Sequence, residues 1–167
     1  MGNGEGSGSI HVSASVDIAR PVGDVFHTLT QPDRQHVWQH GLVDLEHDGD
    51  GGVGTKTLST RKFLGRRVVI KGEVVEHVPN QVIRVDGGSE HFGFSERASV
   101  EPAPAGSRVT LELAIDTRGA IRLARGTFER MLHRDIEASL QNLKDVLEAH
   151  EELEQAHVRL PPHRPPR

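Results

Sequence analysis

The chain changes character at Ile10, where a featureless polar opening gives way to strict alternation. Residues 1–9 are mostly Gly and Ser, carry too little apolar surface to bury, and read as a disordered leader. Beyond them Ile10, Val12, Ala14, Val16 and Ile18 alternate with His11, Ser13, Ser15 and Asp17. That period of two is the pattern of a strand with one wet face. Pro21 suits the first turn of a helix, where a missing N–H costs nothing, and Val22, Val25, Phe26 and Leu29 follow at helical spacing. Pro32 restarts the chain, and PDRQHVWQH reads as a second short helix ending before Gly41.

From residue 42 to residue 116 the punctuation is that of strands and turns. Strands are expected at 42–47, 55–63, 67–77, 81–85, 91–100 and 108–116. They are separated by DGDGG at 48–52, a turn near Gly65, Pro79-Asn80, Asp86-Gly87-Gly88 and a turn over 102–106. The short spacings are those of a hairpin meander and not of crossover units. After Gly119 the period returns to that of a helix. Ile121, Ala124, Phe128, Leu132, Ile136, Leu140, Leu143 and Leu147 form one stripe along a helix of about 30 residues, about 45 Å long. Only a curved sheet gripping such a helix, with one end projecting, would cover that stripe. The expected fold class is therefore α+β: a curved antiparallel sheet of about seven strands around a long C-terminal helix, with two short helices after the first strand. The domain is expected to span 10–150, and 151–167 to be the helix end and an extended or disordered Pro/Arg-rich tail.

Length and charge narrow the function classes. A chain of 167 residues fits one domain with tails. A formal net charge of −4 argues against a nucleic-acid partner, because phosphate binding needs a basic surface. With no cysteine, disulfides, thiolate metal sites and cysteine nucleophiles are excluded. No apolar run is long enough to span a bilayer, and the N-terminus lacks the charged and apolar regions of a signal peptide, so the expected location is cytoplasmic.

Several segments carry a family likeness. SVDIARPVGDVFHTLTQPDRQHVW at 15–38, VGTK at 53–56, GEVVEHVPNQVIRV at 72–85 and VEPAPAGSRVTLEL at 100–113 resemble the START/Bet v 1-like (SRPBCC) superfamily, above all its bacterial polyketide cyclase/dehydrase-type members. The likeness covers residues 10–150. It implies a helix-grip fold with a deep cavity between the concave sheet and the long helix, holding a polyketide-like or lipid-like apolar molecule, with no cofactor or metal. It implies a place in natural-product biosynthesis, as a cyclase, aromatase or dehydratase, or as a non-catalytic carrier, sequestering or self-resistance protein, either monomeric or homodimeric. A co-chaperone module of similar fold is a third reading, one that predicts an exposed apolar patch and little cavity. The family helix would lay Phe128 and Met131 over the cavity, and Trp38 would stand near its mouth.

Strand phase then nominates chemistry. Phe94, Glu96, Ala98 and Val100 share one face, and since Val100 reads as core, Glu96 points inward with it. A carboxyl among apolar walls has a raised pKa and can move protons, as an aldol cyclisation or a dehydration requires. The bland alternative is a slipped register that leaves Glu96 in solvent or paired with a neighbouring arginine. Arg61 alternates with Thr57, Ser59 and Phe63; it either pairs with Glu96 or a ligand enolate or carboxylate, or it faces water. The candidate catalytic residues are thus Glu96 and Arg61, and the candidate ligand-binding residues Trp38, Phe94, Phe128, Met131 and His40.

His36 and His40 would share a helix face, as zinc pairs do, but HVWQH lacks the glutamate of HExxH and no third ligand has matching spacing. Surface histidines are the plainer reading, and His77 or His91 would act only if the fold turns them inward. GDGGVG at 49–54 fits GxGxxG, yet a strand follows it, so the helix N-terminus that would hold a phosphate is missing.

Overall fold

The computed structural model describes residues 8–117 and 123–158, the stretch from 151 onward in its backbone path only. Seven strands form one antiparallel sheet: β1 (Ser9–Ile18), β2 (Leu42–His47), β3 (Lys56–Phe63), β4 (Arg66–Val78), β5 (Val82–Gly88), β6 (Phe92–Ala103) and β7 (Gly106–Thr117). Their spatial order is β1-β7-β6-β5-β4-β3-β2, so every pair from β2 to β7 is a sequential hairpin and only β1 returns from afar to pair with β7. Helix α1 (Val22–Thr30), a 3₁₀ turn (Pro32–Arg34) and one-turn α2 (Gln35–Trp38) follow β1, and the long α3 (Arg125–Val158) closes the fold.

The alternation seen in the sequence fixes which face is covered. Ile10 and Ile18 of β1 and Val109 and Leu111 of β7 are buried beneath α3. On the helix, Phe128, Leu132, Ile136, Leu140, Leu143 and Leu147 are buried along one stripe. Both sets belong to a single core cluster that also takes in Val25, Phe26 and Leu29 of α1. Near its C-terminal end α3 is clasped to β1: the Lys144 ammonium donates to the Asp17 carbonyl at 2.7 Å and to Glu148 at 2.8 Å, and the Ala19 N–H donates to Glu148 at 3.0 Å.

Four local expectations change. Ser9 already pairs with Asp116, so the strand begins one residue before its expected start at Ile10; residues 1–7 of the leader lie outside the described residues, as do Ile121 and the tail at 159–167. The helix expected across PDRQHVWQH divides into the 3₁₀ turn and α2, because Gln39 turns extended at φ −70°, ψ 116°. His40 therefore follows the helix, and the spacing argument that put it on one helical face with His36 fails. Asp86-Gly87-Gly88, expected to turn, continues β5 in register with β4 and β6.

That last change has a steric cause. Gly72 pairs with Gly87 and Gly88 with Gly93, which places backbone against backbone where the sheet bends. A Cβ on Gly87 would lie 2.0 Å from the Lys71 carbonyl oxygen and 2.8 Å from the Gly72 Cα, closer than any side chain allows. The glycines let β4, β5 and β6 lie closer here than side chains would allow.

Candidate functional site

Curling the sheet around α3 leaves a space that the core does not fill. A cavity of about 200 Å³ lies between the concave face and the helix. Alternate residues of the inner strands line it: Thr57, Ser59, Arg61 and Phe63 from β3, Val68, Ile70 and Gly72 from β4, Phe94, Glu96 and Ala98 from β6. Apolar surface dominates, with polar groups gathered in a few places, as in small-molecule sites generally.

Glu96 stands on the β6 wall, between Val85 of β5 and Leu113 of β7. Measured along the strand it is about 13 Å inward from Phe92. Loss of hydration pushes its carboxyl above the ordinary glutamate range, and the charge of Arg61 offsets this only in part. It has no hydrogen-bond partner among the described residues, and its remaining accessible surface opens onto the cavity. The phase of the sixth strand is as the alternation predicts.

A second polar group sits where β3, the loop after α2 and α3 converge. Arg61 lines the cavity, donating from Nη2 to the Gln39 side-chain oxygen and from Nη1 to the His40 carbonyl at 3.5 Å. The His40 N–H donates to Ser139 Oγ at 2.9 Å, and Ser139 in turn donates to the Asp135 carbonyl one turn back on α3. The His40 ring lies 3.8 Å from Asp135. Burial raises the Asp135 pKa, while the charges of His40 and Arg61 pull it down. His40 is therefore held on three sides, by Ser139 at its N–H, Arg61 at its carbonyl and Asp135 at its ring.

Of the residues nominated from sequence, Glu96, Arg61, Trp38, Phe94, Phe128 and His40 all line the cavity. Met131 does not. With 3.6 residues per turn it lies about 60° round the helix from Phe128, on the side away from Leu132 and Ile136, and it packs at the edge of the core instead. Trp38, expected near the mouth, is buried in the wall at 3% exposure, with its indole N–H unpartnered among the described residues. His91 is exposed, and His77 stacks on Phe26 with ring centroids 5.4 Å apart. Asp135, Ser139 and Gln39 were missed. Asp135 adjoins the apolar stripe at Ile136, so its position beside Leu132 and Ile136 was the available signal.

This geometry has relatives. Residues 9–148 match the family model described as polyketide cyclase/dehydrase and lipid transport. The chain belongs to that family. Among solved structures, this polyketide cyclase/dehydrase-family domain resembles TTHA0849 from Thermus thermophilus (19% identity, TM-score 0.75, covering 84% of this chain and 98% of that one). It also resembles the Zhui aromatase/cyclase from Streptomyces sp. R1128 (16% identity, TM-score 0.73, 84% and 94% covered). A third similar structure is the di-domain aromatase/cyclase StfQ of the steffimycin biosynthetic pathway (13% identity, TM-score 0.74), where the match covers 86% of this chain and 52% of StfQ. At these identities the likeness establishes the helix-grip fold. No curated protein matches the chain. Among the described residues no helix is long and apolar enough to cross a membrane.

Proposed function

We propose that the domain binds an apolar, oxygen-bearing molecule of polyketide type and assists its cyclisation or dehydration, with Glu96 as proton donor. The observation that carries this reading is Glu96 itself: a carboxyl without a hydrogen-bond partner among the described residues, on the wall of an apolar cavity where loss of hydration favours its protonated form. A structural acid would be paired; an unpaired one costs stability and is retained where it has work to do. His40, backed by Asp135, is the partner base, and Arg61 stabilises enolate charge. In a β-hydroxy ketone, His40 takes the α-proton and the C–H electrons become the new double bond. The C–O bond breaks, and the hydroxyl leaves as water with the Glu96 proton. The walls at Phe94 and Phe128 exclude water and hold the chain in reacting geometry.

The single tryptophan, Trp38, lies in the cavity wall and reports occupancy by its fluorescence. Titration with an aromatic β-hydroxy ketone should saturate, and absorbance should follow the enone product. Glu96→Gln should bind as well as the parent and turn over about 100-fold more slowly. Undiminished turnover in that variant would remove Glu96 from the mechanism. Saturable binding with no product in the parent would reassign the domain as a carrier.

A further inference from the structure

The cavity end of the molecule carries an outer surface that ligand binding inside does not explain. The β3–β4 hairpin ends on Leu64, in a left-handed conformation at φ 48° and 72% exposed. Leu123, just before α3, is 92% exposed. These are the two most exposed large apolar side chains among the described residues, and the packing of Phe63 against Phe128, with ring centroids 5.1 Å apart, brings their segments to the same end of the fold.

Cations surround them. Lys62, Arg66 and Arg67 flank Leu64, and Arg125 and Arg130 follow Leu123, all exposed and none with an ion-pair partner among the described residues. The acids near this end are Asp116 at the end of β7, Glu90 on the β5–β6 turn and Glu129 on α3, fewer than the cations. The charge runs the other way at the far end of α3, where Asp145 and Glu148 precede Glu151, Glu152 and Glu154 in sequence. A helix macrodipole favours acids at its N-terminus and cations at its C-terminus, whereas the first turn of α3 holds no acid at all. Helix stability therefore does not account for the distribution.

We propose that this end docks on the surface of an anionic phospholipid bilayer, with Leu64 and Leu123 inserted among the headgroups and the flanking cations against lipid phosphates. Two separated apolar tips ringed by long cationic side chains suit a soft interface better than a flat protein surface, because the leucines bury while the cations snorkel. Docked this way, Phe63, Phe92 and Phe128, which line the near end of the cavity, would lie close to the bilayer, and an apolar ligand would pass in without crossing bulk water. The surface does not depend on whether the cavity is catalytic.

The test is co-sedimentation of the full chain with phosphatidylcholine vesicles and with mixed phosphatidylcholine/phosphatidylserine vesicles, across a salt series. Binding should appear with the anionic vesicles and weaken as salt rises. Arg66→Glu with Arg67→Glu should reduce it by at least about tenfold, and Leu64→Ser with Leu123→Ser should reduce it as well. None of these four residues lines the cavity, so thermal unfolding and the Trp38 fluorescence response to a soluble ligand should be unchanged and will show that the variants are folded. Absence of binding to either vesicle overturns the proposal. So does binding that the charge reversals abolish and the leucine changes leave intact, which would be electrostatic adsorption with no insertion of Leu64 or Leu123.

Discussion

At the scale of single residues, the alternation of β6 and β3 made the cavity-facing positions of Glu96 and Arg61 legible. Phase alone put Glu96 on the face of Phe94, Ala98 and Val100 and Arg61 on the face of Ser59 and Phe63, and those faces line the cavity. Asp135 was not legible, because a polar residue beside an apolar helical stripe looks like solvated surface until the partner wall is known. The ionisation of Glu96 gives a stability prediction independent of any substrate. Its folded pKa is raised, so its contribution is complete below the unfolded carboxyl value of about 4.3 and is lost as pH rises through the folded value. Glu96→Gln cannot ionise. The melting temperatures of parent and variant should agree in acid and separate toward neutral pH, with the variant the more stable. Asp135 shifts in the same direction but is present in both proteins and cancels. A gap that stays flat with pH would mean that Glu96 is solvated in the fold much as it is in the unfolded chain.

At the scale of elements, period and punctuation located the strands and the long helix, because most of them have one buried face to write the pattern. They failed where geometry depends on what lies opposite. His40 was assigned to a helix face since HVWQH has helical spacing, yet Gln39 is extended and the clamp from Ser139, Arg61 and Asp135 holds His40 beyond the helix end. Gly87 and Gly88 read as a turn because glycine usually marks one; here it marks a close approach between paired strands. That closeness predicts an intolerant position. Gly87→Ala places a methyl 2.0 Å from the Lys71 carbonyl oxygen, and neither strand can retreat without breaking the β4–β5 ladder. The cost should exceed the roughly 1–3 kcal/mol of ordinary overpacking, read as a lower urea midpoint or loss of soluble folded protein. Gly65, where a Cβ would meet nothing within 4 Å, sits at φ 75°, so Ala there should cost only the smaller conformational strain.

For the whole molecule, the same architecture that supplies the core also leaves it incomplete. Seven strands curled over one helix bury Leu140, Leu143 and Leu147 tightly at one end while holding Phe94, Phe128 and Leu132 around open space at the other. Walls without opposing atoms forgo dispersion energy, so the empty fold is less stable than its sequence could make it. Stability and binding should then move in opposite directions when that space is filled. Ala98, beside Glu96 on the cavity face of β6, is the position to use, because a larger side chain there extends toward the cavity. Ala98→Leu should raise the unfolding free energy of the ligand-free protein by about 0.5–2 kcal/mol, measured by urea denaturation. The same change should abolish the Trp38 fluorescence response to apolar ligands. In the parent a ligand at 100 times its dissociation constant adds about 2.7 kcal/mol, and in the variant it should add nothing. If Ala98→Leu were both destabilised and still able to bind, the space beside Glu96 would be packed and the ligand would sit elsewhere. A variant stabilised and blind to ligand would make the cavity the reason this domain forgoes a filled core.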